Sequence, residues 1–124
     1  MSRTALELSP QEWKAYKPAQ TYQETPDIAA RKERGWKLAR EAARLLKENF
    51  KAGRVMVFGS LAQETGFTRW SDIDLAAWGI PPERYYAAVA AVTGLSAEFK
   101  LDLIDPKSCR PSLKEAIERE GVDL

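Results

Sequence analysis

Apolar residues recur at helical spacing through the first half of the chain and form one continuous stripe. The positions in this stripe are Ala29, Trp36, Ala39, Ala43, Leu46 and Phe50. Thr25 followed by Pro26 is typical of a helix start, and Lys51 followed closely by Gly53 is typical of a helix end. The pattern therefore predicts a long amphipathic helix over residues 25–50.

A shorter helix is predicted near the N-terminus. Ser9 can cap it, Pro10 suits its first turn, Glu12 completes a capping box, and Pro18 ends the pattern. Residues 1–24 are therefore interpreted as a helical extension of a main domain that covers residues 25–124. At 124 residues the chain has the usual length of a single domain overall.

Three segments have the pattern of β-strands, and two further segments have that of helices. Residues 54–58 and 72–78 are largely apolar runs, and residues 97–104 alternate apolar with charged side chains. Helices are predicted over residues 83–92 and 112–120. This order predicts an α/β (α+β) fold, in which helices flank a small mixed β-sheet of three or more strands.

Composition narrows the chemistry that the chain can perform. It has no histidine, one cysteine and a formal net charge of +1. The lack of histidine excludes histidine bases and Ser-His or Cys-His nucleophiles, and the single Cys109 excludes an internal disulfide. Because no apolar signal or membrane-spanning run is present, a cytoplasmic location is expected. Enzyme activity would therefore depend on carboxylates, together with a hard metal ion.

Three aspartates are spaced so that they could meet at one place on the predicted sheet. Asp72 and Asp74 are one residue apart at the start of the second strand, so both side chains lie on one face. Asp102 lies on the polar phase of the third strand and joins them if the two strands are neighbours. Carboxylates this close repel each other unless a cation lies between them, and Mg²⁺ prefers such oxygen ligands. The alternative is that each aspartate is an ordinary solvated residue.

A Gly59-Ser60 pair directly follows the first strand. Glycine lets the backbone approach a ligand closely, and Ser60 could begin a short helix whose N–H groups and hydroxyl bind a phosphate. Taken alone, the pair could also be an ordinary turn. Together with the aspartates it favours a nucleotide site, in which the turn holds the outer phosphates and the aspartates hold the metal on the inner ones.

This combination resembles the DNA polymerase β-like nucleotidyltransferase superfamily, in particular the minimal nucleotidyltransferases that act as antitoxins of HEPN-type toxins. The matching segments are Val57-Phe58-Gly59-Ser60, Trp70-Ser71-Asp72-Ile73-Asp74-Leu75 and Leu101-Asp102-Leu103-Ile104. The resemblance covers residues 25–106 and implies the nucleotidyltransferase fold. It implies that Asp72 and Asp74 bind two Mg²⁺ ions, and that Asp102 binds one and helps to activate the acceptor hydroxyl. It also implies that Gly59 and Ser60 bind the nucleoside triphosphate.

The reaction that the resemblance implies is transfer of AMP from ATP to a hydroxyl group, with pyrophosphate leaving. A small helical HEPN-type toxin is expected as the acceptor, because the chain is too short for a domain that would hold a nucleic acid or an antibiotic. Neither a membrane nor a nucleic acid is expected as a partner, although homo- or hetero-oligomers remain open. Nine basic residues between positions 31 and 54 could meet an acidic partner or form a solvated helix face.

Two other functions remain open for the same fold. One is a binding module that neutralises its partner by contact, with weak or no catalysis. The other is a small-molecule nucleotidyltransferase that acts as a dimer. The intact aspartates favour the enzyme over the binding module.

Two positions depart from the pattern of the superfamily. A basic or small residue commonly follows the Gly-Ser pair, with an arginine two residues later, whereas this chain has Leu61 and Gln63. Arg69, in the loop before the aspartates, is predicted to supply the missing positive charge to the phosphates. The departures bear on the rate of catalysis more than on the fold.

Overall fold

The structure is a computed structural model that describes residues 24–124. The predicted helix near Ser9 lies outside these residues, and the division of the chain at residue 24 stays a prediction. The helices are α1 (Pro26–Phe50), α2 (Tyr85–Thr93) and α3 (Pro111–Glu120), and the strands are β1 (Arg54–Phe58), β2 (Ile73–Trp78), β3 (Leu101–Ile104) and β4 (Val122–Asp123). Single 3₁₀ turns cover Gly59–Ala62 and Pro82–Arg84.

The four strands form one mixed sheet in the order β3-β2-β1-β4. β1 pairs antiparallel with β2 and with β4, whereas β2 and β3 run parallel. The prediction of a small mixed sheet flanked by helices is therefore confirmed. The second and third strands are neighbours. This neighbourhood was required for Asp102 to lie near Asp72 and Asp74, and the sequence alone did not decide it.

Helix α1 covers one face of the sheet, and its sequence explains why. Thr25 caps it, since its hydroxyl accepts a hydrogen bond from the backbone N–H of Ile28 at 3.2 Å. Lys51 ends it in a left-handed conformation with φ of 64°. The buried residues of this helix are Gly35, Leu38, Ala39, Ala42, Ala43, Leu46 and Phe50, so the predicted stripe is confirmed in its C-terminal part. Of the helices within residues 24–124, none is long and apolar enough to cross a membrane.

Helix α3 covers the opposite face of the sheet. Its fully buried Ile117 packs in a small apolar cluster with Met56, Phe58 and Ala76. Side chains alternate between the two faces of a strand, so Asp74 on β2 points to the same face as Ala76. The apolar part of this face lies under α3, and the carboxylates lie beyond it near the start of β2.

Two elements differ from the sequence-based expectation. The third strand begins at Leu101 instead of residue 97, because the Ser96 hydroxyl accepts hydrogen bonds from the backbone N–H groups of Glu98 (3.0 Å) and Phe99 (3.4 Å) and bends this segment into a turn. The fourth strand was not predicted at all. It has only two residues and is held on β1 by pairing of Met56 with Asp123 and of Val57 with Val122.

Replacing Ile117 by alanine is expected to destabilise the protein by about 2–4 kcal/mol, because it leaves a cavity in a cluster too small to collapse around it. Urea unfolding followed by circular dichroism measures the change. The half-buried Leu113 on the same helix is the control, and Leu113→Ala should cost clearly less. Equal costs at the two positions would contradict the description of Ile117 as the anchor of α3.

Candidate active site

The structure places Asp74 and Asp102 on one face of two neighbouring strands, and Asp72 directly before the first of these strands. Asp74 of β2 lies directly opposite Asp102 of β3 in the parallel register. Adjacent strands are about 4.8 Å apart, so the two carboxylates leave the sheet side by side. Asp72 precedes β2 and is two residues before Asp74. All three side chains are partly buried, none fully.

The pKa of the Asp74 carboxyl group is shifted by its surroundings. Burial raises the pKa of Asp74 to about 6, and the negative charges of Asp102 and Asp72 contribute in the same direction. The ammonium group of Lys100 opposes this rise in pKa, and it also lies 3.9 Å from the carboxylate of Asp102. Within residues 24–124, the carboxylates of Asp72 and Asp74 accept no hydrogen bond and form no ion pair. Lys100 therefore relieves only part of the repulsion between the three carboxylates.

A hard divalent cation fits the donor chemistry of this cluster. The residues offer carboxylate oxygens, which Mg²⁺ prefers, and a cation would remove the repulsion that adds to the effect of burial on the pKa of Asp74. In the part of the chain that the structure describes, no group of three such side chains already encloses a metal position. The side chains would therefore have to turn toward a cation, with Asp102 leaving Lys100.

Gly59 is the point at which the turn after β1 meets the carboxylates. Its φ is +74°, a conformation that residues with a Cβ rarely adopt. A Cβ built at this position would collide with the carboxylate oxygen Oδ2 of Asp74. Glycine is therefore required here twice, for its backbone conformation and for the space that the Asp74 side chain occupies.

The turn itself is a 3₁₀ helix of four residues, Gly59–Ala62, which agrees with the short helix predicted at Ser60. Leu61 in this turn is buried in the main core, which explains a large apolar residue where the superfamily pattern has a basic or small one. The amide of Gln63 donates to the carboxylate of Glu120 at 3.1 Å. The two departures from the superfamily pattern thus serve packing and a contact with α3.

A cationic side chain near this turn comes from helix α1, and the sequence did not predict it. The ammonium group of Lys32 donates to the backbone carbonyls of Gln63 (2.9 Å) and Glu64 (3.3 Å). The signal in the sequence was the excess of basic residues after position 31, but no periodicity shows which of them faces the turn. Lys32 lies beside the chain that leaves the candidate phosphate site.

Arg69 lies in an ordered turn that leads into Asp72. Within this turn, the Ser71 hydroxyl accepts from the N–H of Thr68 (2.9 Å), and the Thr68 hydroxyl accepts from the N–H of Trp70 (3.1 Å). Arg69 is exposed, and so is Trp70, with 81% of its surface accessible. Among the described residues the Arg69 guanidinium has no partner, and its predicted role with phosphates stays a prediction.

Solved structures share this fold at low sequence identity. A chain in a crystal structure of a toxin–antitoxin with AMP-PNP matches with a TM-score of 0.55 and 22% identity, over 68% of this chain and 70% of that chain. A chain of a mutant toxin–antitoxin complex matches with a TM-score of 0.55 and 24% identity, over 68% of this chain and 69% of that chain. A chain of the toxin–antitoxin MntA-HepT matches with a TM-score of 0.51 and 19% identity, over 69% of this chain and 68% of that chain. No protein-family model matches the chain, and no curated protein does.

At these identities the similarity is evidence for the fold. It agrees with the resemblance read from the sequence, because the Gly-Ser turn lies against Asp74 and Asp74 lies opposite Asp102. The chain therefore shares its fold with chains of these toxin–antitoxin complexes.

Proposed function

We propose that this protein is a Mg²⁺-dependent nucleotidyltransferase that transfers AMP from ATP to a protein acceptor. We further propose that it is the antitoxin of a pair whose toxin is a small helical HEPN-type protein. The observation that supports this most is the parallel register of Asp74 with Asp102, next to Asp72 and Gly59. It concentrates carboxylates beside a turn whose backbone is open to a ligand.

In the proposed reaction, the acceptor hydroxyl oxygen bonds to the α-phosphorus of ATP, the bond to the bridging oxygen breaks, and pyrophosphate leaves. Bound Mg²⁺, as two ions, would supply charge stabilisation to the attacking and leaving oxygens. Asp72 and Asp74 would hold both ions, and Asp102 one. The side chain of Asp102 is 44% exposed, so an acceptor hydroxyl can reach this carboxylate from solvent, and the carboxylate takes up the hydroxyl proton.

The turn at Gly59 and Ser60 would hold the phosphates. Ser60 is only partly buried, and its hydroxyl has no hydrogen-bond partner in residues 24–124. The single 3₁₀ turn is too short for a helix dipole, so binding would rest on local N–H groups and this hydroxyl. Arg69 would add positive charge from the neighbouring turn.

Two considerations support a protein acceptor. The solved structures that share the fold include toxin–antitoxin complexes, one of them with AMP-PNP. In addition, the described residues form only the sheet and its covering helices, and a protein partner would bring its own hydroxyl to the partly exposed Asp102 carboxylate. The cytoplasmic location expected from the sequence stays part of this proposal.

Incubation with ATP labelled at the α-phosphate, Mg²⁺ and a small helical HEPN-type protein as the candidate partner tests the proposal. We expect label on the partner, and a loss of at least about 100-fold in Asp72→Asn. Glu48→Gln is the control, because this exposed glutamate lies near the C-terminal end of α1, at the opposite end of the helix from Lys32 and the turn that Lys32 contacts. Neutralisation of the partner without labelling, equal in wild type and Asp72→Asn, would favour the contact-only binding module.

A small-molecule acceptor is the second candidate, and one observation favours it. A pocket of about 560 Å³ opens near the end of β3, lined among others by Tyr85, Tyr86, Ile104 and Cys109. Ile104 is two residues beyond Asp102 on the same face of the strand, and such a volume suits a small ligand. AMP transfer to hydroxyl-bearing small molecules in the absence of any partner protein would support this function.

A further inference from the structure

Arg31 of helix α1 makes several contacts beside the candidate site, and the sequence had not indicated a role for it there. Its guanidinium donates to the carbonyl of Ser71 at 3.1 Å and to the carbonyl of Thr68 at 3.4 Å. It also pairs with the carboxylate of Glu98 at 3.4 Å. Its side chain is only 14% exposed, so these contacts are largely shielded from water.

The two carbonyls belong to the turn that leads into the first aspartate. The Ser71 carbonyl is part of the peptide bond between Ser71 and Asp72, so the hydrogen bond from Arg31 fixes the orientation of that peptide. The Thr68 carbonyl also accepts from the N–H of Ser71 at 3.1 Å, which closes the turn. Arg31 therefore acts on the backbone immediately before Asp72.

The same guanidinium contacts the chain that enters β3. It lies 4.1 Å from the ring centre of Phe99 and 5.9 Å from that of Phe67, within the range of cation–π attraction. Phe99 is three residues before Asp102, and Phe67 is at the start of the turn. One planar group thus joins the segment before Asp72 to the segment before Asp102, which a single ammonium group could not do.

We propose that Arg31 is a positioning residue that fixes the Thr68–Ser71 turn against the start of β3, and so sets the direction of the Asp72 carboxylate relative to Asp102. The inference rests on the proposed function, because it assigns Arg31 to the same cation site. Phe67 is fully buried and packs near Phe99 with ring centres 6.5 Å apart. The loop therefore stays docked without Arg31, and only the end that carries Asp72 gains freedom.

The neighbouring Arg34 provides a matched control. It also pairs with Glu98, at 2.6 Å, but it has no hydrogen bond to the Thr68–Ser71 turn. Arg31→Met and Arg34→Met therefore each remove one arginine from Glu98, while only the first releases the turn. Arg31→Lys is the second variant, since it retains the charge and most of the aliphatic stem but loses the planar fork.

Three measurements test the inference: Mn²⁺ affinity by electron paramagnetic resonance, amide hydrogen exchange of residues 68–72, and kcat and KM for ATP. In Arg31→Met we expect Mn²⁺ affinity to fall by about 10–100-fold, as for residues that orient metal ligands. Exchange of the Ser71 amide should become at least about tenfold faster. The kcat should fall by about 10–100-fold with KM for ATP little changed.

Arg34→Met should stay close to wild type in all three measurements, and Arg31→Lys should fold normally yet resemble Arg31→Met in Mn²⁺ affinity. Equal losses in Arg31→Met and Arg34→Met, or a wild-type Mn²⁺ affinity in Arg31→Lys, would overturn the inference. A wild type that binds Mn²⁺ but transfers no AMP would overturn the proposed function alone, because Mn²⁺ affinity and amide hydrogen exchange still test the role of Arg31. A wild type that binds no Mn²⁺ would overturn both.

Discussion

Asp74→Asn is expected to make the protein more stable at pH 7 and, at the same time, unable to respond to Mg²⁺. The pKa of Asp74 is raised to about 6 by burial and by the charges of Asp102 and Asp72. The folded protein therefore keeps this proton up to about pH 6, whereas the unfolded chain loses it near its ordinary value of 3.8. Ionisation of Asp74 thus destabilises the fold as the pH rises between these values.

The penalty is absent below about pH 4 and complete above about pH 6. Since the carboxylate is only half-buried, we allow for its contact with water and expect a gain of about 1–2 kcal/mol at pH 7. Urea unfolding of wild type and Asp74→Asn at pH 4 and pH 7 measures it. The gain should be present at pH 7 and absent at pH 4, and the opposite dependence would contradict the electrostatic account.

Mg²⁺ provides the second half of this expectation. A cation that binds only the folded protein stabilises it by about 1.4 kcal/mol at ten times its dissociation constant, and wild type should show this rise at pH 7. Asp74→Asn should show none, because the central carboxylate is gone. Asp102→Asn is the matched control for the first half: it removes one neighbouring charge but leaves Asp74 buried, so its gain without Mg²⁺ should be smaller. A rise with Mg²⁺ in Asp74→Asn would place the cation elsewhere.

The parts of the fold that were predictable from sequence are those with a local cause. The long helix has an apolar stripe, a capping threonine and a C-terminal glycine, and its predicted bounds differ from α1 by only one residue at the start. The last helix is likewise bounded by Pro111 and Gly121. Such signals lie within a few residues of each other, so the sequence carries them directly.

The parts that were not predictable depend on contacts between distant residues. The two-residue strand β4 has no pattern of its own, and only its pairing with β1 defines it. The Ser96 hydroxyl forms the turn that shortens the third strand. Phe99 is nevertheless buried, as the alternation of apolar and charged residues predicted. Strand order also depends on contacts between distant residues. From the sequence, Asp102 could be predicted to lie beside Asp74 only if their two strands were neighbours in the sheet.

For the candidate site, the sequence predicted which carboxylates come together and missed the basic side chains that contact the turns beside them. Asp72, Asp74 and Asp102 follow from their spacing on strands. Arg31 and Lys32 belong to a helix with many basic residues, and only the packing of α1 shows that these two contact the turns. Their role depends on tertiary structure, which residue spacing alone does not give.

Gly59→Ala is expected to damage both stability and the proposed activity. The φ of +74° is unfavourable for alanine, and the new Cβ would collide with the Asp74 carboxylate. Together, backbone strain and the displaced side chain should cost about 2–4 kcal/mol. The displacement should also lower AMP transfer by about 100-fold, since a shift near 1 Å at reacting groups has effects of that size.

Gly66→Ala separates the two causes, because Gly66 has a similarly positive φ of +96° but nothing within 4 Å of a built Cβ. This variant should lose about 1–2 kcal/mol from backbone strain and keep its AMP transfer. The collision at Gly59 can be tested further in an Asp74→Ala background, where the carboxylate is gone and Gly59→Ala should cost no more than Gly66→Ala. If Gly59→Ala costs the same with and without the Asp74 carboxylate, the glycine is needed for its backbone alone. The turn would then not be built around the Asp74 side chain, and the contact that joins the candidate phosphate turn to the carboxylates would lose its energetic basis.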